Sequence, residues 1–247
     1  MINRIGIELG LNMNNVKLVR ANGQIRFLSE YFLSPNEALT HGAEICGSYL
    51  EDHEMAKQIA NHKKTARELF TFEFISKAIE FVFPSAFEEI LLDLVKMIAF
   101  DALVGNNDRH FYNWGVIDTI KRSKKRPKFA PIYDSARGLL WNFSEDNIVK
   151  HLESYNSGGN KIEKYISNAT PRISIEGDSD CNHFQLVSFV KSHKGDYGEI
   201  IDELASESNE KKIYKMLDRD LFQFISKERK ELIGTILKSR FEQVRNC

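Results

Sequence analysis

In the stretch GNNDRHFYNWGVI, residues 105 to 117, Asp108 and Asn113 stand five positions apart with His110 between them. A carboxylate and an amide at that spacing suit metal-assisted phosphoryl transfer, in which the Asp takes the proton of the attacking hydroxyl and the Asn oxygen binds magnesium. Another carboxylate, Asp134, closes the extended segment FAPIYD 21 residues beyond Asn113, where such chemistry places its second metal-binding Asp. Hard oxygen donors without thiolates favour magnesium over zinc. Magnesium draws most of its shell from phosphate and water, so one Asn and one Asp suffice. His110 reaches a phosphate or organises the loop. In the plainer reading, Asp108 caps a turn while Asn107 and Asn113 satisfy loop backbone groups. A lone D-x-x-x-x-N decides little; a helix, then N-x-D-R-H-x-x-N-x-G, then a strand ending in Asp is far more selective.

These residues need rigid supports. AFEEILLDLVKMIAFDALVG carries apolar residues at 87, 90, 91, 94, 95, 98 and 102, which predicts a core helix that stops at Gly105 and delivers the loop. Asp101, one turn before the loop, is placed to bond loop backbone or the Arg109 side chain. Residues 50 to 82 read as helical, and Ile2 to Leu9 as a helix closing on Gly10. Val16 to Arg20, the turn Ala21 to Gly23, and Ile25 to Leu28 form a β-hairpin pattern. Residues 154 to 165 and 174 to 183 read as loops, and the chain from 184 onward as mostly helical. Trp114, Tyr133, Phe70, Phe72, Phe74, Phe81 and Phe83 are expected as core filler. Glu199, Asp202, Glu203 and Glu207 are expected on a solvated helix face.

The chain of 247 residues is long enough for one large domain or two small lobes. Its 34 Lys and Arg balance 35 Asp and Glu, so no overall charge calls for nucleic acid or an anionic membrane. The basic run from Lys121 to Phe129, six cations in nine residues, reads as a solvated turn between strands or as a basic docking patch. Cys46, Cys181 and Cys247 lack disulfide or zinc spacing, and no stretch matches a membrane span, so a cytoplasmic setting is expected.

NNDRHFYNWGV followed by FAPIYDSARG resembles the C-terminal kinase lobe of the HipA-type serine/threonine kinases, the toxins of bacterial toxin-antitoxin modules. D-R-H-x-x-N also resembles the phosphoinositide kinases, but P-I-Y-D stands here in place of their I-D-F-G-type motif. The resemblance implies an α+β, protein-kinase-like fold with a mostly helical C-lobe over residues 34 to 247. Residues 1 to 33 would be a partial N-lobe and hinge. It makes Asp108 the catalytic base, Asn113 and Asp134 the magnesium ligands, and His110 a neighbour of the nucleotide phosphates. RFLSEYF resembles the hinge between kinase lobes, whose backbone at Ser29, Glu30 and Tyr31 would meet the adenine of ATP. Also implied are a protein substrate, for some members an aminoacyl-tRNA synthetase, and an antitoxin partner.

The phosphate-covering Gly-rich loop and strand lysine of such kinases are not visible, which reads as an N-terminally incomplete kinase. Two other readings stay open. One is a pseudokinase or split-kinase subunit that takes the loop and lysine from an N-lobe partner. The other is a phosphoinositide or small-molecule kinase.

Overall fold

The computed structural model describes residues 1–120, 125–135, 137–140 and 142–247, the side chain of Ile25 excepted. Helix α1 (Ile2–Glu8) ends where Gly10 turns left-handed, at φ 74°. The Gly10 and Leu11 amides then cap the Ile7 and Gly6 carbonyls, as anticipated. Strands β1 (Val16–Ala21) and β2 (Gln24–Ser29) pair antiparallel through Asn22 and Gly23, both at positive φ, the backbone that a two-residue hairpin turn requires.

Next come β3 (Glu37–His41), α2 (Gly42–Leu50), α3 (His53–Asn61), α4 (Lys63–Leu69) and α5 (Phe72–Val82). The region read as continuously helical from 50 to 82 is thus divided. Asp52 and Thr71 accept from the Met55 and Phe74 amides, so each starts a new helix rather than continuing the old one. The central helix α6 (Phe87–Val104) matches its expectation and is buried on every side from Met97 onward. Its end is fixed by Gly105, left-handed at φ 67°.

Strand β4 (Gly115–Thr119) lies between β3 and β5 (Lys128–Phe129) in an antiparallel sheet. FAPIYD is therefore strand only at its first residue. Ile132 makes an isolated bridge with Met13, and Asp134 sits at φ 49° rather than at a strand end. Of the basic run, residues 121–124 lie outside the described residues. Lys125 and Lys128 approach Glu37, and Arg126 approaches Glu89.

The remainder is helical: α7 (Glu145–Asn156), α8 (Lys161–Ser167), α9 (His183–His193), α10 (Gly195–Leu204), α11 (Glu207–Asp220) and α12 (Lys227–Arg245). The segment 154–165, read as a loop, contains the end of α7 and the start of α8. Ile162 on α8 is buried, and that apolar anchor outweighs the flanking glycines. Helices α9, α10 and α12 pack on α6. Phe70, Phe72 and Phe83 are buried as expected, whereas Phe81 is exposed. Glu199, Asp202, Glu203 and Glu207 are exposed as expected.

The first amides of α2 hold the candidate loop from behind. Gly42 N–H donates to the Trp114 carbonyl and Ala43 N–H to the Phe111 carbonyl, both at 3.0 Å. A Cβ at Gly42 would collide with the buried Trp114 indole. Gly42→Ala should therefore lower stability by about 1–3 kcal/mol, the usual cost of overfilling a packed site, as measured by denaturant unfolding.

Candidate active site

The loop between α6 and β4 is organised around Arg109, which is buried. Its Nε and Nη2 meet Asp101 Oδ2 and Oδ1 at 2.9 and 3.0 Å, a two-point pair inside the protein. Its remaining donors reach the Asn113 carbonyl at 3.1 Å, the Tyr133 carbonyl, and Ser135 Oγ at 2.6 Å. One guanidinium thus joins the last turn of α6, the far end of the loop and the segment around Asp134. The pairing of Asp101 with Arg109 was legible in the sequence. Asn106, fully buried, adds a second tie by donating to Asp101 Oδ1 at 2.9 Å and accepting from the Asp108 amide.

Asn113 is buried, and its Nδ2 donates to the Asp108 carbonyl at 3.1 Å. That bond fixes the amide so that Oδ1, the atom able to bind a cation, is the end left over. Asp134 is exposed, and no lysine or arginine among the described residues forms an ion pair with it. The described residues hold no group of three or more His, Cys, Asp or Glu that could bind a metal. The donor chemistry therefore fits magnesium completed by phosphate and water, and not a protein-only metal cage.

Asp108 itself is clamped. Arg172 Nη2 lies 2.9 Å from Oδ1 and Arg137 Nε lies 3.0 Å from Oδ2. Neither arginine was singled out from sequence. Arg172 follows 64 residues after Asp108 in an unremarkable stretch, and only the fold brings it near. The loop that carries Arg172 is pinned by Arg67 of α4, which is buried and donates to the carbonyls of Pro171, Ser179 and Cys181. Lys63 adds a bond to Thr170 Oγ1 at 2.9 Å. Burial, then Arg172 and Arg67, push the Lys63 ammonium below its usual pKa.

His110 accepts from the Tyr112 amide at Nδ1, 3.3 Å, which leaves the Nε2 proton as its donor when the ring is neutral. Its pKa is lowered, chiefly by burial, with Asp108 opposing. Tyr133 is half-buried. Its hydroxyl donates to the Tyr112 carbonyl at 2.9 Å and meets His41 Nδ1 at 3.1 Å, and burial raises its pKa.

The residues expected as the hinge, Ser29 and Glu30, join the same assembly through Asn14 and Asn15. Asn14 Nδ2 donates to Ser29 Oγ at 2.6 Å, and the Asn14 amide donates to the Ile132 carbonyl at 2.9 Å. Glu30 N–H donates to the Asn15 carbonyl, and Asn15 Nδ2 donates to the Glu30 carboxylate. The segment before Asp134 and the segment around Ser29 and Glu30 are therefore both fastened to residues 12–15, while Tyr31 projects into solvent.

The family model for the HipA-like C-terminal domain matches residues 2–211. This chain belongs to that family. The fold of this HipA-like chain is similar to the Helicobacter pylori proinflammatory kinase CtkA, at TM-score 0.75 and 18% identity, over 99% of this chain and 83% of that one. It is also similar to HipA of the Shewanella oneidensis MR-1 toxin-antitoxin system, solved with HipB and operator DNA. There the TM-score is 0.53 and the identity 13%, over 100% of this chain and 56% of that one. The HipA-like chain thus spans about half of that HipA chain. These likenesses establish a kinase-like α+β fold. A search of curated proteins found no match.

Two outcomes follow from the buried charges of this HipA-like loop. Asp101→Asn and Arg109→Met should each lower stability by about 3–5 kcal/mol, because each strands a charge without its partner. The double substitution should cost well below the sum, and denaturant unfolding of the four proteins measures that coupling.

His183 lies fully buried with the Asn106 backbone against it and Arg240 nearby, and neither ring nitrogen makes a well-formed hydrogen bond among the described residues. Burial holds its pKa well below 6.5. The unfolded chain therefore takes up a proton that the folded chain refuses. Stability should be full above about pH 6.5 and fall as the pH drops below it, by at most about 1.4 kcal/mol per unit from this group. Unfolding measured between pH 7.5 and 5.5 should show a shallower pH slope in His183→Gln than in the wild type.

Proposed function

We propose that this HipA-like chain is an ATP- and magnesium-dependent protein kinase acting on serine or threonine. The observation that carries the reading is the Arg109 guanidinium, which ties Asn113, Tyr133 and Ser135 to one buried anchor and so sets the loop and the Asp134 segment in fixed relation. Phosphoryl transfer asks for such fixed placement more than for covalent chemistry.

In this reading Asp108 takes the proton of the acceptor hydroxyl. The hydroxyl oxygen bonds to the γ-phosphorus, the bond from that phosphorus to the β-phosphate oxygen breaks, and ADP leaves. Asn113 Oδ1 and the Asp134 carboxylate would hold magnesium, whose charge offsets that of the phosphates. His110 offers its Nε2 proton to a phosphate oxygen. Backbone groups at Ser29, Glu30 and Tyr31 receive adenine. Arg137 and Arg172 each pair with one oxygen of Asp108, so the acceptor hydroxyl would share that carboxylate with two guanidinium groups.

The same clamp favours a second reading, a pseudokinase or split-kinase subunit in which Asp108 is structural and a partner chain completes the site. A toxin role with an antitoxin partner is supported by the likeness to HipA solved with HipB. An aminoacyl-tRNA synthetase as acceptor is proposed from the resemblance to the HipA-type kinases, and a cytoplasmic setting from the free cysteines Cys46, Cys181 and Cys247. No helix among the described residues is long and apolar enough to cross a membrane.

Calorimetric titration with ATP, with and without magnesium, tests the reading. The wild type should bind ATP in a magnesium-dependent way that Asp134→Ala loses. Asp108→Ala should keep binding while transfer falls by at least a hundredfold, the scale of a positioned general base. Equal transfer by the wild type and Asp108→Ala would exclude Asp108 as the base, whereas ATP binding with no transfer by the wild type would leave the pseudokinase reading.

A further inference from the structure

Beside the catalytic loop, on the side formed by α7 and α8, the surface opens into a pocket of about 330 Å³. Gly105 and Asn107 of the loop form one wall, and His151, Lys161, Lys164 and Asn168 supply most of the polar lining. Asn107 directly precedes Asp108 in the chain, and its amide donates to the Arg137 carbonyl. The pocket therefore begins one residue along the chain from the one assigned as the base, which is not itself among the lining residues.

Charge in this pocket is one-sided. It is lined by two lysines and a histidine and by no carboxylate. Lys161 and Lys164 make no ion pair with any described residue, whereas Lys191, Lys211, Lys230 and Lys238 on α9, α11 and α12 are each matched to an acid. His151 is held by the Asn147 carbonyl at 2.8 Å and by the Phe143 ring, whose centroid lies 4.8 Å away. It is a placed side chain rather than a loose one. Two unneutralised ammonium groups three positions apart on one helix, beside amide donors from Asn107 and Asn168, form a receptor for an oxyanion. The volume, at the low end of the range for ligand pockets, admits a side chain or two.

We propose that this pocket selects the acceptor: it binds an anionic side chain, a carboxylate or a phosphate, carried by the substrate protein beside its target serine or threonine. Lys161 and Lys164 are its specificity-determining residues, and the side-chain amides of Asn107 and Asn168 orient the anion. Holding the flanking anion brings the acceptor hydroxyl to Asp108, so binding energy gained away from the reacting atoms is spent on their placement. The proposal rests on the kinase reading for the role of Asp108, while the binding itself is independent of transfer.

The test uses fluorescein-labelled serine peptides flanked by glutamate, by phosphoserine, by alanine or by lysine, with binding to the full chain read by anisotropy. The glutamate or phosphoserine peptide should bind the wild type more tightly than the alanine peptide, and the tighter of the two identifies the anion. The pair Lys161→Glu with Lys164→Glu should weaken that binding by about tenfold, as two exposed attractions become repulsions. Lys161→Gln with Lys164→Gln, which removes charge without adding any, should give a smaller loss in the same direction. ATP should leave the peptide bound.

Equal binding of the anionic and alanine peptides, or unchanged binding in both lysine pairs, would overturn the proposal. Displacement of the peptide by ATP would overturn it too, because the lysines would then serve the nucleotide. A wild type that discriminates among the peptides but transfers no phosphate supports the pocket and counts against the kinase reading alone.

Discussion

A buried cation cannot be left with donors unmet, and the candidate site is built on that constraint. Arg109 is removed from water, so its guanidinium must find acceptors inside the protein. It finds them on three separate stretches of chain: Asp101 on the central helix, Asn113 at the end of the loop, and Tyr133 with Ser135 beyond the sheet. None of the three can drift without stranding charge in a medium that penalises it. Side chains as different as an exposed Asp134 and a buried Asn113 acquire a common frame through this one ion.

The same device recurs around the site. Arg67 holds the loop that carries Arg172 by donating to three of its carbonyls. Arg240, fully buried on α12, donates to the Ala102 carbonyl in the last turn of α6 and to the Ile166 carbonyl in α8. It also lies against Gly105, where a Cβ would stand 2.7 Å from its Cζ. Arg240 has no carboxylate partner among the described residues, and burial depresses its pKa to about 10. The carbonyl ends of helices carry partial negative charge, which is what makes such a cation tolerable. Irregular backbone near the loop is held by long, forked donors because apolar packing cannot satisfy carbonyls.

What the sequence disclosed and what it concealed follow from the range of each interaction. The hairpin, the Gly10 and Gly105 stops and the α6 core are local signals, written in turn chemistry and spacing. Asp101 with Arg109 was legible because the two lie eight residues apart, on either side of a helix end. Arg172 and Arg137 on Asp108 left no local mark, since a lone arginine in a loop has no periodicity to betray its target. The division of residues 50 to 82 was missed because Asp52 and Thr71 look like ordinary helix-surface residues until their side chains are seen to cap. FAPIYD had the composition of a strand, but Ile132 spends its backbone bonds on Asn12 and Asn14, and the Tyr133 carbonyl accepts from Arg109.

The ribbon of β1 and β2 makes its extensive contacts within itself, and it leaves Leu18, Phe27 and Leu28 more than half exposed. Two strands alone are only marginally stable in water. The molecule is consequently graded in firmness, with a stiff end around Arg109 and a soft end at Ser29 and Glu30, joined by the side chains of Asn14 and Asn15. Amide protons in the ribbon would exchange with solvent by local opening, while those behind Trp114 would wait for global unfolding. A ligand spanning both ends would meet one half of its site already set and would have to order the other, and its affinity would carry that entropic cost.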